Sequence, residues 1–352
     1  MNPVLAELTK SDKFNEYLER IKKSNAPISI LGLAGVGTLQ IVASTEENIK
    51  RPICLITYNE LQAKKLAEEI RSYINGVFFF PKREILTYDY VAESKELPYE
   101  RIEALNKIQE TRTGIVVTTI EALMQKLPAK KTLFKDILEF KVGDVCDLEE
   151  IKKRLINLGY SRYDLIEGRG QFSIRGGIID IALTQKTGVR IELWGDEVDS
   201  IRNFNINSQR SIETIEKAKI YPAHEYVLED SIENICKKIS NTIAEGKQEE
   251  IIEEDIEQIK SGNYLSKIDK YFNEFYEEQE NLIDYLNKNY LIILDELNKI
   301  EQRQINIVQD IENLSKNLIE KEKIIPEAIK ETSEIDFDIL ENKNEIIYLE
   351  KQ

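Results

Sequence analysis

LGLAGVGTLQ, residues 31–40, decides how the first third of this 352-residue chain is read. It follows a short apolar run, Pro27–Leu33, and precedes a segment with helical spacing, which is the setting a phosphate-binding loop requires. Such a loop reads G-x-x-x-x-G-K-[ST]. Gly32 and Gly37 stand at its two glycine positions with Gly35 between them, and the next two residues are Thr38 and Leu39. A lysine at the first of these reaches the β- and γ-phosphates, and a hydroxyl at the second holds magnesium. Threonine and leucine remove the charge and the metal ligand together, so hydrolysis by the usual route is not expected. Alone, the segment reads equally well as a glycine turn between any strand and helix.

A second stretch, LIILDE (Leu291–Glu296), has the form of a Walker-B strand, with four apolar residues ending in Asp295-Glu296. In an active NTPase the aspartate holds magnesium and the glutamate polarises water. An apolar strand ending in acids is common and is structural when it stands alone. Between the two motifs the pattern alternates. Residues 12–24 read as an amphipathic helix through Phe14, Leu18 and Ile21; Pro52–Tyr58 is a buried-strand run; Asn59–Tyr73 is a helix carrying Leu61, Leu66 and Ile70. Val77–Phe80 and Gly114–Thr119 are strands, with helices at Ile102–Glu110 and Ile120–Lys126. Strands alternating with helices predict a parallel sheet covered on both faces. The fold class expected is α/β: a degenerate helicase-like domain of P-loop NTPase type with a parallel sheet, interrupted by an inserted α+β domain.

The insertion starts near Pro128, where the pattern becomes strand-rich and punctuated by glycine. A helix at Glu149–Leu158 precedes Gln171–Leu183, in which Gly176-Gly177 permits close backbone packing or a bulge. Val189–Trp194 and Glu197–Phe204 are joined by Gly195-Asp196, a two-residue hairpin signal. Beyond Pro222 the chain becomes helical and acidic. Asn298–Glu322 reads as one long polar helix that breaks before Pro326. The expected division is 1–125 and 213–330 for the two parts of the NTPase-like domain and 126–212 for the middle domain. Residues 331–352 are expected to be a tail or the start of a further domain.

Composition narrows the function classes. The net charge of -16 is uneven: residues 229–352 hold 31 Asp/Glu against 15 Lys/Arg, whereas residues 1–228 hold 33 of each. Duplex binding needs clustered Lys/Arg to release phosphate counterions, so weak or no direct DNA binding is expected. The acidic helices read as a solvated surface rather than a DNA mimic. Cys54, Cys146 and Cys236 are widely spaced with no C-x-x-C, which argues against disulfides and zinc and fits a reducing cytoplasm. No membrane segment, metal or cofactor is expected. Seven of the 14 arginines lie between Arg154 and Arg210, the pattern of a salt-bridged surface or of an arginine-rich protein interface.

RGQFSIRGGIIDI (Arg169–Ile181), VRIELWGDEVDSIRNFNINSQRS (Val189–Ser211) and YPAHE (Tyr221–Glu225) closely resemble the repair protein UvrB. They resemble still more the UvrB-like N-terminal region of the bacterial transcription-repair coupling factors. FFFPKREILTYDYVAESKELPYER (Phe78–Arg101) and IVVTTIEALMQKLP (Ile115–Pro128) look like the same family, and the resemblance runs over roughly residues 1–330. Two departures favour the coupling factors. UvrB keeps the loop lysine that Thr38 replaces here, and it carries a tyrosine-rich DNA-clamping hairpin where this chain has only a short connection from Tyr88-Asp89-Tyr90 to Leu97-Pro98-Tyr99.

The resemblance implies a binding module without catalytic residues: the middle domain docks UvrA, and the full-length form contacts RNA polymerase and DNA through other domains. It also implies an arginine-based UvrA-binding face, by position Arg162 and Arg175, with Phe172 and Ile179 as apolar contacts. Arginine suits that role because its planar fork holds a carboxylate through two hydrogen bonds. UvrB has a second arginine where Ser173 stands. Arg169, Arg190 and Arg202 belong either to the same patch or to salt bridges with Glu192, Glu197 or Asp199. Trp194 is expected to pack the hairpin, with an interface anchor as the alternative, and His224 is expected to be structural. The competing class is a DNA-dependent ATPase or helicase fragment, which requires turnover despite Thr38 and Leu39.

Overall fold

The computed structural model describes residues 3–23, 27–33, 36–83, 97–241, 247–261, 268, 270–320 and 332–351. The chain divides into two compact units: residues 1–127 with 231–352, and the inserted segment Pro128–Asp230.

The first unit is built on a six-stranded sheet. Its order is Ile28–Leu33, Glu345–Lys351, Leu291–Asp295, Ile53–Thr57, Ile115–Thr119, Val77–Phe80. Every neighbouring pair is parallel. All-parallel strands are covered on both faces and read as continuous apolar runs; accordingly ICLIT, IVVTT and LIILD are buried at every position. Asn59 caps the helix Glu60–Arg71 by accepting from the Gln62 N–H. That helix buries Ala63, Leu66, Ala67 and Ile70, a stripe of period 3.6. Leu61, expected on that stripe, lies five residues from Leu66, off the helical repeat, and is 82 % exposed. The helix Leu97–Glu110 begins earlier than the expected Ile102, with Pro98 in its first turn, where the missing N–H costs no hydrogen bond. The long helix Leu297–Glu320 buries Ile300 and Ile307 and leaves Leu314 exposed.

The expected domain limits change in two places. Residues 331–352 are no tail: Glu345–Lys351 is an interior strand, in register with Ile28–Leu33 on one side and Leu291–Asp295 on the other. The inserted unit also extends past 212. Lys217–Ile220 pairs antiparallel with Leu138–Lys141, and the Tyr160 hydroxyl donates to the Tyr221 carbonyl.

The inserted unit is a second six-stranded sheet in the order Ser211–Ile215, Glu197–Asn205, Thr187–Trp194, Ile178–Ala182, Gln171–Arg175, Ser161–Arg162. All its pairs are antiparallel except the last. One face carries Phe172, Ile179, Ile181, Val189, Ile191 and Ile201 into a core closed by Ile151 and Leu155 of the helix Leu148–Asn157. Period-two alternation sends the intervening residues to the other face, where the polar row lies beside a small buried cluster of Ile166, Ala182, Phe204 and Ile206.

Candidate docking face and vestigial nucleotide site

In the first unit, the strand Ile28–Leu33 leads to the helix Gly37–Ile49, as a phosphate loop demands, and Gly32 adopts φ 77. Gly35 lies outside the described residues, as does the segment that includes Tyr88-Asp89-Tyr90. Leu39, at the position where a hydroxyl would meet magnesium, is 4 % exposed and belongs to the core beneath the sheet. Thr38 is 2 % exposed, and its hydroxyl finds no hydrogen-bond partner among the described residues.

The Walker-B-like strand does not adjoin the loop strand, because Glu345–Lys351 lies between them. That strand ends in Lys351, which stands in register with Leu33 and reaches the acids of the neighbouring strand. Its Nζ lies 3.0 Å from Asp295 Oδ2 and 3.3 Å from Glu296 Oε2. Asp295 is fully buried. Burial pushes its carboxyl above the usual range, against the lowering pull of Lys351. Burial also opposes the charge on Lys351, but the two acids outweigh it and hold the ammonium above its ordinary value. Burial raises Glu296 too, yet Lys299, at 2.6 Å, and Lys351 together bring it below the usual range. Glu296 is held in the left-handed region at φ 66, and its N–H donates to the Leu349 carbonyl.

Ligands of open α/β sheets bind outside the carboxyl ends of the strands. Here an internal ammonium is bonded to the aspartate that would hold magnesium and to the glutamate beside it, and a leucine packed in the core replaces the second ligand. The residues present do not fit a magnesium-nucleotide.

In the second unit, register places Ser173, Asp180, Arg190 and Arg202 in one row across four strands of the polar face. Asp180, a lone acid in the apolar run IIDIA, is fully buried. Both its oxygens are engaged by Arg190, at 2.6 and 2.9 Å, and Oδ2 also accepts from Arg175 at 3.0 Å. The hydrogen bonds to Asp180 raise Arg190 above its ordinary value against burial, and its guanidinium stacks 4.7 Å from the Phe204 ring centroid. Arg202 pairs with Glu192. Among the described residues, the carboxylates holding Arg190 and Arg202 are therefore Asp180 and Glu192, and of the candidates Glu192, Glu197 and Asp199 the first is the one that pairs with them. Ser173 is buried beside Asp180.

Of the expected contact residues, Arg175 keeps 49 % of its side chain in solvent while its guanidinium is anchored. Arg162 is exposed on the edge strand, in register with Phe172. Among the described residues no carboxylate pairs with Arg162. Phe172 and Ile179 are corrected: both are 0 % exposed, because the alternation that puts Arg175 on the polar face turns them into the core. The expectation that Trp194 packs the hairpin is also overturned, since it is 84 % exposed at the tip. His224 lies against Gly159, where a Cβ would come within 2.3 Å of its Nε2, and burial lowers its pKa to about 4. Sequence reasoning missed Asp180 and Lys351. The first had a visible signal, one acid inside an apolar strand; the second had none beyond the short run EIIYLEK.

The model of the UvrB interaction domain matches residues 138–226. The chain is 31 % identical over 340 residues to the transcription-repair-coupling factor of Bacillus subtilis, covering 92 % of this chain and 29 % of that protein. It is 29 % identical over 334 residues to that of Staphylococcus haemolyticus, covering 91 % and 28 % respectively. The chain thus spans less than a third of the length of these relatives. Among the described residues no helix is long and apolar enough to cross a membrane.

Proposed function

We propose that this chain is a UvrB-like module of the transcription-repair coupling factor family, and that it docks UvrA through the polar face of its inserted unit and thereby brings excision repair to a stalled RNA polymerase. The observation that carries this reading is Arg175, half in solvent yet fixed by a buried carboxylate within the span matched to the UvrB interaction domain. A guanidinium held in place before contact loses little side-chain entropy on binding and keeps donors free for a partner carboxylate. Arg162, exposed and without a carboxylate partner among the described residues, is a second donor at the edge of the same sheet. Contacts with RNA polymerase and DNA would belong to parts of the relatives outside this chain.

The first unit acts in this reading as a helicase-type scaffold that no longer hydrolyses ATP. The supporting observation is Lys351, which together with Lys299 balances the charge of Asp295 and Glu296. The test is co-elution of this chain with purified UvrA on a sizing column. We expect a complex with the wild-type chain and its loss in Arg162→Ala/Arg175→Ala; a double variant that binds like wild type would overturn the site assignment. DNA-stimulated phosphate release by the chain alone would decide for the ATPase alternative.

A further inference from the structure

We propose that Trp194 anchors a docking surface at the hairpin end of the inserted unit, and that the UvrA surface it meets is an apolar socket rimmed by lysine or arginine. This rests on the UvrA reading above and extends the contact from the arginines to a part of the domain that reading does not use.

Three turns are tied together at that end of the sheet. The Leu193 N–H donates to the Gly177 carbonyl at 2.7 Å, which joins the hairpin tip to the turn after Arg175. The Cys146 N–H donates to Asp196 at 2.7 Å, and the Val198 N–H to Asp144 at 2.8 Å, which joins the tip to the turn after Lys141. Gly195 closes the tip at φ 64, and Gly177 leaves no room for a side chain, its Cβ position lying 2.7 Å from the Leu193 carbonyl oxygen. The backbone platform is therefore built before any partner arrives.

The apolar side chains it presents face water. Trp194 is 84 % exposed and Val145 80 %, with Val142 at 50 % and Ile178 at 36 %. Val145 is bridged to Glu197, the cross-strand partner of Trp194, and Ile178 is the partner of Arg175. An exposed tryptophan on a rigid turn, flanked by aliphatic side chains and an arginine, has the composition of an interface hot spot.

Charge identifies the other side. Asp196 and Glu197 are exposed in the tip, Asp147 is exposed and Asp144 half-buried in the adjoining turn, against Lys141 alone on that turn. Beside Val145 lies a cleft of about 240 Å³ lined by Asp144, Asp147, Glu150 and Ile151, with Arg154 at its wall. The Arg154 guanidinium donates to the Asp136 and Ile137 carbonyls and lies 4.0 Å from Glu150 Oε1. With Glu150 paired to Arg154, Asp144 and Asp147 keep the cleft acidic, which suits one long basic side chain next to the aromatic anchor. Like-charge contact here would be repulsive, so the complementary surface is basic around an apolar centre.

The test titrates purified UvrA against the full chain and against Trp194→Ala, Arg175→Ala and Asp196→Lys/Glu197→Lys, with thermal melting of each. Trp194→Ala should raise Kd about tenfold or more with an unchanged melting curve, and the charge reversal should weaken binding further as salt is lowered. Because Trp194 is the single tryptophan of the chain, 5-fluorotryptophan labelling gives one fluorine resonance, which should shift on addition of UvrA. If Trp194→Ala binds within twofold of wild type while Arg175→Ala loses binding, the tip proposal falls and the UvrA reading stands. If the wild-type chain does not bind UvrA, both fall together.

Discussion

Asp295 in the first unit and Asp180 in the second are both fully buried carboxylates at a sheet surface, and both are held by cations. The outcomes differ. Lys351, three-quarters out of solvent, turns its charge inward onto two acids, Asp295 and Glu296, so the cluster it completes is closed. Asp180 is shared by two arginines, which leaves one positive charge in excess and one guanidinium half in water. A buried ion pair is weak evidence for stability, because its desolvation offsets its attraction. What distinguishes these two is the balance of charge: Lys351 and Lys299 match the two acids Asp295 and Glu296, whereas two guanidiniums on the single carboxylate of Asp180 leave one fixed cation half in water.

The sharpest way to break this comparison is Asp180→Ala. It leaves Arg190, 18 % exposed, and Arg175 beside each other without the carboxylate that bonds both. Removing one partner of a buried pair costs about 3–5 kcal/mol, and the half-exposed Arg175 places this case near the low end, about 3 kcal/mol. Urea unfolding should show the midpoint falling, and UvrA binding should weaken although no exposed side chain has been changed. If the midpoint does not move, Asp180 is not what fixes Arg175.

Much of this difference was hidden in the sequence for identifiable reasons. The parallel sheet was legible because ICLIT, IVVTT and LIILD are apolar runs bounded by turns or helix caps, and the hairpin was legible through Gly195-Asp196. The strand Glu345–Lys351 was not, since EIIYLEK has only four apolar residues and a charge at each end, and its place between two buried strands comes from long-range pairing alone. Arg175 was identified by resemblance. Phe172 and Ile179 were misplaced because the same resemblance carries no face, whereas the register Phe172↔Ile181 and Ile174↔Ile179 decides it. The exposure of Trp194 could not be read from a run, VRIELWGDEV, in which alternation ends at the turn.

A smaller effect, about 2 kcal/mol at neutral pH, is expected from Lys351→Met, which removes the compensating charge from Asp295 while retaining an apolar stem. Its pH dependence sharpens the contrast. The folded-state Asp295 carboxyl already titrates above its ordinary value because it is buried, and the variant loses the one strong lowering influence. A carboxyl raised in the folded state gives stability that is present when it is protonated and lost as pH rises through its folded value. The deficit of the variant relative to wild type should therefore be greatest at neutral pH and shrink as the pH is lowered into the acid range. A deficit that stays constant between those limits would show that Lys351 contributes packing rather than charge.

The smallest effect expected is a gain. Thr38 stands where a working loop has its lysine, and its buried hydroxyl has no partner among the described residues. A buried hydroxyl without a hydrogen bond is destabilising, and valine has the same shape without it, so Thr38→Val should stabilise the chain by about 0.5–1 kcal/mol. The helix register gives no reason to offset this, because valine and threonine have similar helix propensities. The experiment also tests the closed state of the site. If the hydroxyl served an anion at the start of the helix Gly37–Ile49, phosphate would raise the melting temperature of the wild-type chain more than that of the variant. Equal response to phosphate, with the variant the more stable protein throughout, would mean that the loop keeps its strand and helix for the fold alone.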